Sequence, residues 1–406
     1  MTTEGFTRLL SHTAAQSSRA HYLRCGVAAR QLDHYAIAHA LQWMRSALCE
    51  HIASLTPQQL VPPPISTINP PLWEAAHVGW FAEWFCVRGG QTRETGEAVA
   101  MRASCWAESD AFLNSNLIAH DARWRLPQLS RQKALDYLQR SLELTLRALD
   151  QSADDDESLY RFRLALFHEA MHLEALAWMA QTLAWPVPGW LHDDFLDSSF
   201  KNSNIDLPLI EFGQERYNIG FRFDNEIGVS PCQNKALVDK YALVTNAQFL
   251  SFVERGDYAA ATGRAHPAYW RRSRDEWQTR SFDRWQSIAM DAPVIHVSAI
   301  EAEAFARWAG GRLPTEAELQ VHFSASPKHW HGQVWEWTST MFAPYEAGAF
   351  VPGLYREYSA PWFDGRHRVL RGGSFATLPY MHHPQYRNFF TPERYDVFAG
   401  FRVVSL

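Results

Sequence analysis

The sequence predicts an α+β protein of two domains, in which a helical bundle precedes a domain of short strands and loops. A chain of 406 residues with 47% hydrophobic and 20% charged residues is long enough for more than one globular domain. Apolar residues recur at helical spacings up to about residue 185. Pro186, Pro188 and Gly189 then end that period, and turn residues separate the short segments that follow. We therefore expect domains at 1–190 and 191–406.

Four amphipathic helices are predicted in the first domain, at residues 31–55, 72–87, 131–149 and 157–183. Helices of this length predict a four-helix bundle, with a long crossover between the second and the third. In the second domain, residues 298–309 form one clear helical pattern. The rest of that domain is typical of short strands and long loops.

Charge and composition exclude several classes of function. The net charge is 38 − 44 = −6, which argues against a nucleic-acid-binding protein. No apolar run approaches the roughly 20 residues that cross a bilayer, and the first 30 residues lack a signal-peptide core. We therefore expect a cytoplasmic protein with no membrane partner. The five cysteines contain no CxxC pair, so neither a disulfide scaffold nor a cysteine-based zinc site is expected.

The strongest chemical signal is the string His168-Glu169-Ala170-Met171-His172. Residues four apart in an α-helix lie on one face, so both imidazoles can reach one metal ion. The string also matches the H-E-x-x-H pattern of zinc proteases, whose third ligand would here be Asp193 or Asp194. Glu174 lies about 200° round the helix from His172 and should face away from a shared metal.

His77 is a better third ligand, because it lies on a different predicted helix among aromatic residues that exclude water. Three neutral imidazoles would leave a divalent ion with open positions for substrate and O2. Iron(II) suits such a site, whereas zinc would suit hydrolysis. Spacing alone does not separate the two metals.

The combination of Pro71-Leu72-Trp73…His77 with H-x-x-x-H-x-E at His168, His172 and Glu174 resembles the ergothioneine-biosynthesis sulfoxide synthases. That family joins a DinB-like bundle to a formylglycine-generating-enzyme-like domain of C-type-lectin-like fold. The second half of the chain carries matching motifs in order over residues 244–402. They are Val244-Thr245-Asn246…Phe249, Gly310–Glu318, Val334–Trp337, Arg371–Phe375 and Gly400-Phe401-Arg402.

In the second half, we expect Trp335, Glu336 and Trp337 to pack in the core. Arg312, Arg371 and Arg402 are expected to hold loops through carboxylate contacts. No cysteine follows Cys232, so the cysteine chemistry of the formylglycine-generating oxidases is not expected here.

The resemblance implies a mononuclear Fe(II) enzyme in which His77, His168 and His172 bind the metal. Its reaction uses O2 to join a chalcogen donor to the imidazole ring of hercynine, the trimethylated betaine of histidine. Tyr355-Arg356-Glu357-Tyr358 resembles the segment that carries the family's catalytic tyrosine. We favour Tyr355 over Tyr358 for that role.

Two departures from the family pattern bear on the donor. Leu117 stands where relatives have an arginine, and Phe390 stands where they have an aspartate that meets the same peptide thiol. Arg394 remains, and we expect its partner to be missing. Losing these charges disfavours a charged peptide thiol. The sequence thus resembles the selenoneine synthase branch, which uses a selenosugar, and the alternative donor is a thiol such as cysteine or γ-glutamylcysteine.

The trimethylammonium group of hercynine needs an aromatic or acidic surround. The candidates for hercynine contacts are Trp80, Tyr380, Asn388, Phe389 and Phe390. Two further hypotheses stay open at this point. One is a zinc hydrolase built on the H-E-x-x-H string, and the other is a lectin-like binding module without catalytic activity.

Overall fold

The computed structural model describes residues 26, 28–92, 98–127, 129–191, 217–218, 221–222, 242–325, 332–344, 355, 358–383 and 386–405. Within these ranges the chain has the predicted α+β architecture, with long helices first and a mixed region of short strands and helices after them. The predicted boundary near residue 190 falls at a short 3-10 turn, Gly189–Leu191.

Four long helices form the first half. They are α1 (His34–Ser54), α2 (Pro71–Ala82), α5 (Arg131–Asp150) and α6 (Asp156–Thr182). Helices α1 and α2 each pack against both α5 and α6, which makes the predicted bundle. Side chains cap three of the four N-termini, because Asp33, Ser130 and Asp155 each accept a backbone N–H three residues later. Pro71 begins α2, where a missing N–H costs nothing.

The crossover between α2 and α5 contains structure that periodicity did not predict. A π-helical turn, Glu83–Val87, continues α2, and β1 (Gln91–Thr92) pairs with β2 (Ala98–Val99). Two short helices follow, α3 (Ser109–Leu113) and α4 (His120–Arg123). They are shorter than the window in which a helical period can be recognised.

The second half contains more helix than predicted. The expected helix is present as α9 (Ala299–Trp308), but α7 (Asn246–Glu254), α8 (Asp257–Thr262) and α10 (Glu316–Ala325) are also formed. The expectation of only one clear helix was therefore wrong. Thr245 and Gln248 make a capping box at the start of α7, a local signal that the short apolar pattern concealed.

The strands form small sheets around the second core. Ahead of them, β3 (Tyr217–Asn218) pairs with β4 (Phe221–Arg222). The meander runs β5 (Trp270–Ser273), β6 (Glu276–Ser281) and β7 (Arg284–Ser287), and β8 (Gly311–Arg312) pairs with β13 (Val404–Ser405). The central sheet has the order β11-β10-β9-β12, with β9 (Trp335–Met341), β10 (Arg368–Arg371), β11 (Asn388–Phe390) and β12 (Ala399–Phe401).

The core interactions of the central sheet match the sequence expectation. Trp335 and Trp337 of β9 are fully buried, and Glu336 between them pairs with Arg402. Arg371 likewise pairs with Glu316, and Arg312 with Glu318. Among the described cysteines, Cys49, Cys86 and Cys105 are free thiols. None of the described helices combines the length and apolarity that a membrane span requires.

Candidate metal centre

Three imidazoles converge between α2 and α6. His77 lies in the middle of α2, and His168 and His172 lie one turn apart on α6. Their ligand nitrogens all lie within 4.8 Å of one another, and the Nε2 atoms of His168 and His172 are 3.1 Å apart. We refer to these three residues as the histidine cluster. Its members come from segments about 90 residues apart in the chain and meet only because the bundle brings α2 against α6.

The second nitrogens of two members are held by acceptors. His77 Nδ1 donates to the carbonyl of Leu113 at 2.8 Å, and His172 Nδ1 donates to Glu74 Oε1 at 2.6 Å. Because a carbonyl and a carboxylate only accept, these Nδ1 atoms carry the protons, and the Nε2 lone pairs face the cluster. His168 Nδ1 is buried with no hydrogen-bond partner among the described residues.

The cluster suits a divalent cation better than additional protons. Burial lowers the pKa of His77 to about 3, and burial together with the two neighbouring histidines holds the pKa of His168 well below its usual range. Both imidazoles are therefore neutral at physiological pH, with lone pairs close together that lack protons to share. Three imidazole nitrogens in this arrangement match the donor set of Fe(II) or Zn(II).

Glu74 is the carboxylate that orients His172. Burial alone would raise the pKa of Glu74, but the charge and hydrogen bond of His172, with a further hydrogen bond from Asn69, lower it to about 2. Glu74 is 2% exposed and ionised. It lies three residues before His77, on the same face of α2, so helical spacing could have identified it.

Aromatic rings enclose the cluster on the α2 side. Trp73 stacks on His77 with ring centroids 4.9 Å apart, and Trp80 lies on the same residue at 5.6 Å. Phe81 stacks on His168 at 3.5 Å. The indole N–H of Trp80 donates to Asp110 at 2.7 Å. Trp80 therefore borders a candidate ligand, while its contact with hercynine stays a prediction.

Glu169 is not free to act as a general base. Both of its oxygens accept from Arg45, at 2.8 and 3.0 Å, and both side chains are buried. A zinc hydrolase of the H-E-x-x-H type needs this carboxylate next to the metal-bound water. Its third ligand was expected at Asp193 or Asp194, which lie outside the described residues. The ion pair with Arg45 thus removes the base that the hydrolase hypothesis requires.

Tyr355 lies beside the histidine cluster. Its ring centroid is 4.9 Å from that of Phe81 and 6.1 Å from that of His168. The ring centroid of Tyr358 lies 6.0 Å from that of Tyr355. Burial raises the pKa of the Tyr358 hydroxyl far above the usual range. Of the two tyrosines predicted as catalytic, Tyr355 has the ring contact with a cluster histidine.

The predicted substrate residues of the second domain fall into two groups. Phe389 stacks on Phe342 at 4.0 Å and contacts Tyr358, and the neighbouring Asn388 amide oxygen accepts from the Phe389 backbone. Phe390 instead meets Trp178 of α6 edge-on at 5.6 Å. Trp178 was not among the predicted residues. It lies six residues after His172, which is not a spacing used to predict the metal ligands.

Arg394 has an ionic partner, contrary to the sequence expectation. Asp396 accepts two hydrogen bonds from its guanidinium, at 2.5 and 2.8 Å, and Arg394 also lies 4.8 Å from the Phe390 ring. The pair is two residues apart in sequence, so Asp396 supplies a carboxylate to Arg394 although position 390 has none. Leu117 lies on the turn after α3 and is 69% exposed, whereas Tyr380 is buried and its carbonyl accepts from Arg30.

Comparison with known proteins assigns both halves of the chain. Residues 209–330 and 327–405 match the sulfatase-modifying factor enzyme 1-like domain, and residues 40–180 match the DinB superfamily. Over 292 residues the chain is 30% identical to a formylglycine-generating enzyme of Streptomyces coelicolor, covering 50% of this chain and 88% of that protein.

Two other relatives are named for hercynine or for ergothioneine. The chain is 28% identical over 397 residues to a hercynine oxygenase of Mycobacterium tuberculosis, covering 83% of this chain and 91% of that protein. It is also 28% identical over 223 residues to the ergothioneine biosynthesis protein 1 of Schizosaccharomyces pombe, covering 46% of this chain and 28% of that protein.

Proposed function

Because this chain belongs to the ergothioneine-type sulfoxide synthase family, which joins a DinB-like bundle to a sulfatase-modifying-factor-like domain, we propose that it is an Fe(II)- and O2-dependent enzyme acting on hercynine. The proposed reaction joins a sulfur donor to the imidazole ring. The observation that carries the proposal is the convergence of three imidazoles, of which two have their second nitrogen fixed by an acceptor. The names of the relatives support hercynine as the substrate.

The proposed reaction balances with O2 as the sole oxidant. The hydrogens of the imidazole carbon and of the thiol leave with one oxygen atom as water. The other oxygen atom remains on sulfur, and the new carbon–sulfur bond completes a sulfoxide. Bound Fe(II) would supply the redox chemistry with O2, and His77, His168 and His172 would hold it.

The chain's own groups would control access and protons. Trp73, Trp80 and Phe81 keep bulk water from the histidine cluster on one side. Tyr355, at ring-contact distance from His168 and from Phe81, is the proposed proton donor. Phe390 and Trp178 would offer an aromatic surface to a substrate at the seam between the domains.

A selenosugar donor is the second candidate, and one feature favours it. Arg394 is already neutralised by Asp396, and Phe390 beside it is apolar, so these residues offer no free charge pair to a peptide thiol. The sequence alone placed selenium first. The relatives named for hercynine and ergothioneine support sulfur as the first candidate.

A donor competition tests the proposal. Protein loaded anaerobically with Fe(II) is mixed with O2, hercynine and equal amounts of cysteine, γ-glutamylcysteine and a selenosugar, and the products are identified by mass spectrometry. We expect a hercynine–sulfur adduct that carries one oxygen atom. An adduct formed only with the selenosugar would favour the second candidate, and hercynine recovered unchanged with every donor would overturn both.

A further inference from the structure

Glu174 lies on the helix of the histidine cluster, but its hydrogen bonds reach into the second domain. It follows His172 by two residues on α6. Its Oε1 accepts from Trp335 Nε1 at 2.7 Å and from Ser374 Oγ at 2.6 Å, and its Oε2 accepts from Thr377 Oγ1 at 2.8 Å. We call these four residues the Glu174 junction. All four are buried.

The geometry of the Glu174 junction is fixed by its donors. An indole N–H can only donate. Ser374 Oγ accepts from the backbone of Ala376, and Thr377 Oγ1 accepts from the backbone of Ser374, so both hydroxyl hydrogens are directed at the carboxylate. The turn that presents Ser374 has positive φ angles at Gly372 (99°) and Gly373 (76°), which favour glycine.

A chain of contacts leads from the Glu174 junction to the tyrosines. Trp335 meets Tyr386 edge-on at 5.0 Å, and Tyr386 shares a hydrogen bond with Tyr358. Tyr358 lies 6.0 Å from Tyr355, which in turn lies 6.1 Å from His168. The path therefore leaves α6 at Glu174, crosses the second domain and returns to α6 at the histidine cluster.

We propose that Glu174 is a positioning residue that sets the place of Tyr355 and Tyr358 relative to the histidine cluster. It does so by fixing Trp335 and the 374–377 turn against α6. Its kinetic consequence rests on the proposed function, whereas its structural consequence does not. A purely structural role would only hold the two domains together.

A second contact between the domains provides a matched control. Gln181 lies on α6 nine residues after His172, about 13 Å further along the axis. Its side chain accepts from Phe282 N at 2.5 Å and donates to the carbonyl of Arg280 at 3.1 Å. Gln181 therefore joins the same two halves with comparable hydrogen bonds, but it binds residues 280–282 and not Trp335 or the 374–377 turn.

The experiment compares Glu174→Ala, Glu174→Gln and Gln181→Ala. Gln retains the oxygen that serves Trp335 and Ser374, so it should rescue most of what Ala loses. We expect Glu174→Ala to lower kcat by about 10- to 100-fold with little change in KM for hercynine, because displaced catalytic groups slow the reaction more than they weaken binding. Gln181→Ala should lower the melting temperature but leave kcat unchanged.

A second measurement needs no turnover. Hydrogen exchange of the metal-free protein, read by mass spectrometry, should become faster at residues 355, 358 and 386–390 in Glu174→Ala and should not change there in Gln181→Ala. Equal effects of the two Ala variants on kcat and on exchange would overturn the positioning role. If the wild type fails to convert hercynine, the proposed function fails, and exchange alone decides the role of Glu174.

Discussion

Glu74 and His172 meet across α2 and α6, with 2.6 Å between the carboxylate Oε1 and the imidazole Nδ1. The same helix that supplies His77 thus also orients a candidate ligand, His172, of the opposite helix. A carboxylate behind a metal-bound imidazole fixes its tautomer and strengthens it as a donor. Helix α2 therefore contributes Glu74 and His77 to the site, and helix α6 contributes His168 and His172.

Replacing Glu74 by Gln should weaken metal binding. The substitution keeps the shape of the side chain but removes the charge that holds the Nδ1 proton of His172, and such changes cost about 10- to 100-fold in affinity. A cobalt(II) titration in competition with a chelator measures this directly. Glu143→Gln, on the exposed surface of α5, is the control and should bind cobalt as the wild type does. Unchanged affinity in Glu74→Gln would show that the pair does not support the site.

Replacing Arg45 by Met should destabilise the bundle strongly. The change leaves Glu169 buried without a cation, which typically costs about 3–5 kcal/mol of unfolding free energy. Urea unfolding followed by helical circular dichroism checks the prediction. Arg125→Met removes an ion pair in which both side chains are about 70% exposed, and it should change little. If both variants unfold at the same urea concentration, the buried pair is not important for stability.

Stability should fall in mild acid because of His51. Burial lowers its pKa from 6.5 to about 4, and its ring packs edge-on against Trp190. Its neutral form therefore stabilises the folded state fully above pH 6.5, and that contribution is lost as the pH falls from 6.5 towards 4.

The change should reach about 3 kcal/mol, since each pKa unit corresponds to about 1.4 kcal/mol. His51→Phe keeps the packing and removes the titration. The unfolding free energy of the wild type minus that of the variant should therefore fall as the pH is lowered from 6.5 towards 4. A difference that does not vary with pH would refute the assignment. The comparison is made on metal-free protein, so that metal release does not contribute.

Restoring the two family charges should move donor preference. Leu117→Arg with Phe390→Asp returns a cation and an anion where peptide-thiol enzymes are expected to carry them. The ratio of kcat/KM for γ-glutamylcysteine to that for an uncharged donor should rise in the double variant. Each single variant serves as a control, because one unpaired charge should help less than the pair. A ratio that stays at the wild-type value would mean that these residues do not line the donor site.

The residues with regular spacing were those that the sequence predicted well. The ends of the four bundle helices lie within a few residues of the predicted positions, because apolar periodicity persists over many turns. His168 and His172 share a face for the same reason. His77 was predicted from its place among aromatic residues on another helix and from the family resemblance, since no spacing connects it to residues about 90 positions away.

Contacts between distant segments could not be predicted from the sequence in the same way. The binding of Glu169 by Arg45 and of Glu174 by Trp335, Ser374 and Thr377 depends on how helices and domains pack. The helix position of Glu174 correctly indicated that it faces away from the cluster, but not what it faces. Arg394 pairs with Asp396, only two residues away, in a local turn that hydrophobic patterns do not describe.

Metal-dependent oxygen uptake tests the central claim most directly. Metal-free protein is reconstituted anaerobically with one equivalent of Fe(II) or of Zn(II), then mixed with O2, hercynine and a donor, and O2 is followed with an electrode. The account predicts hercynine-dependent uptake with Fe(II) alone, and its loss in His77→Ala. Uptake that persists in His77→Ala, or that needs no metal, would contradict the three-histidine centre.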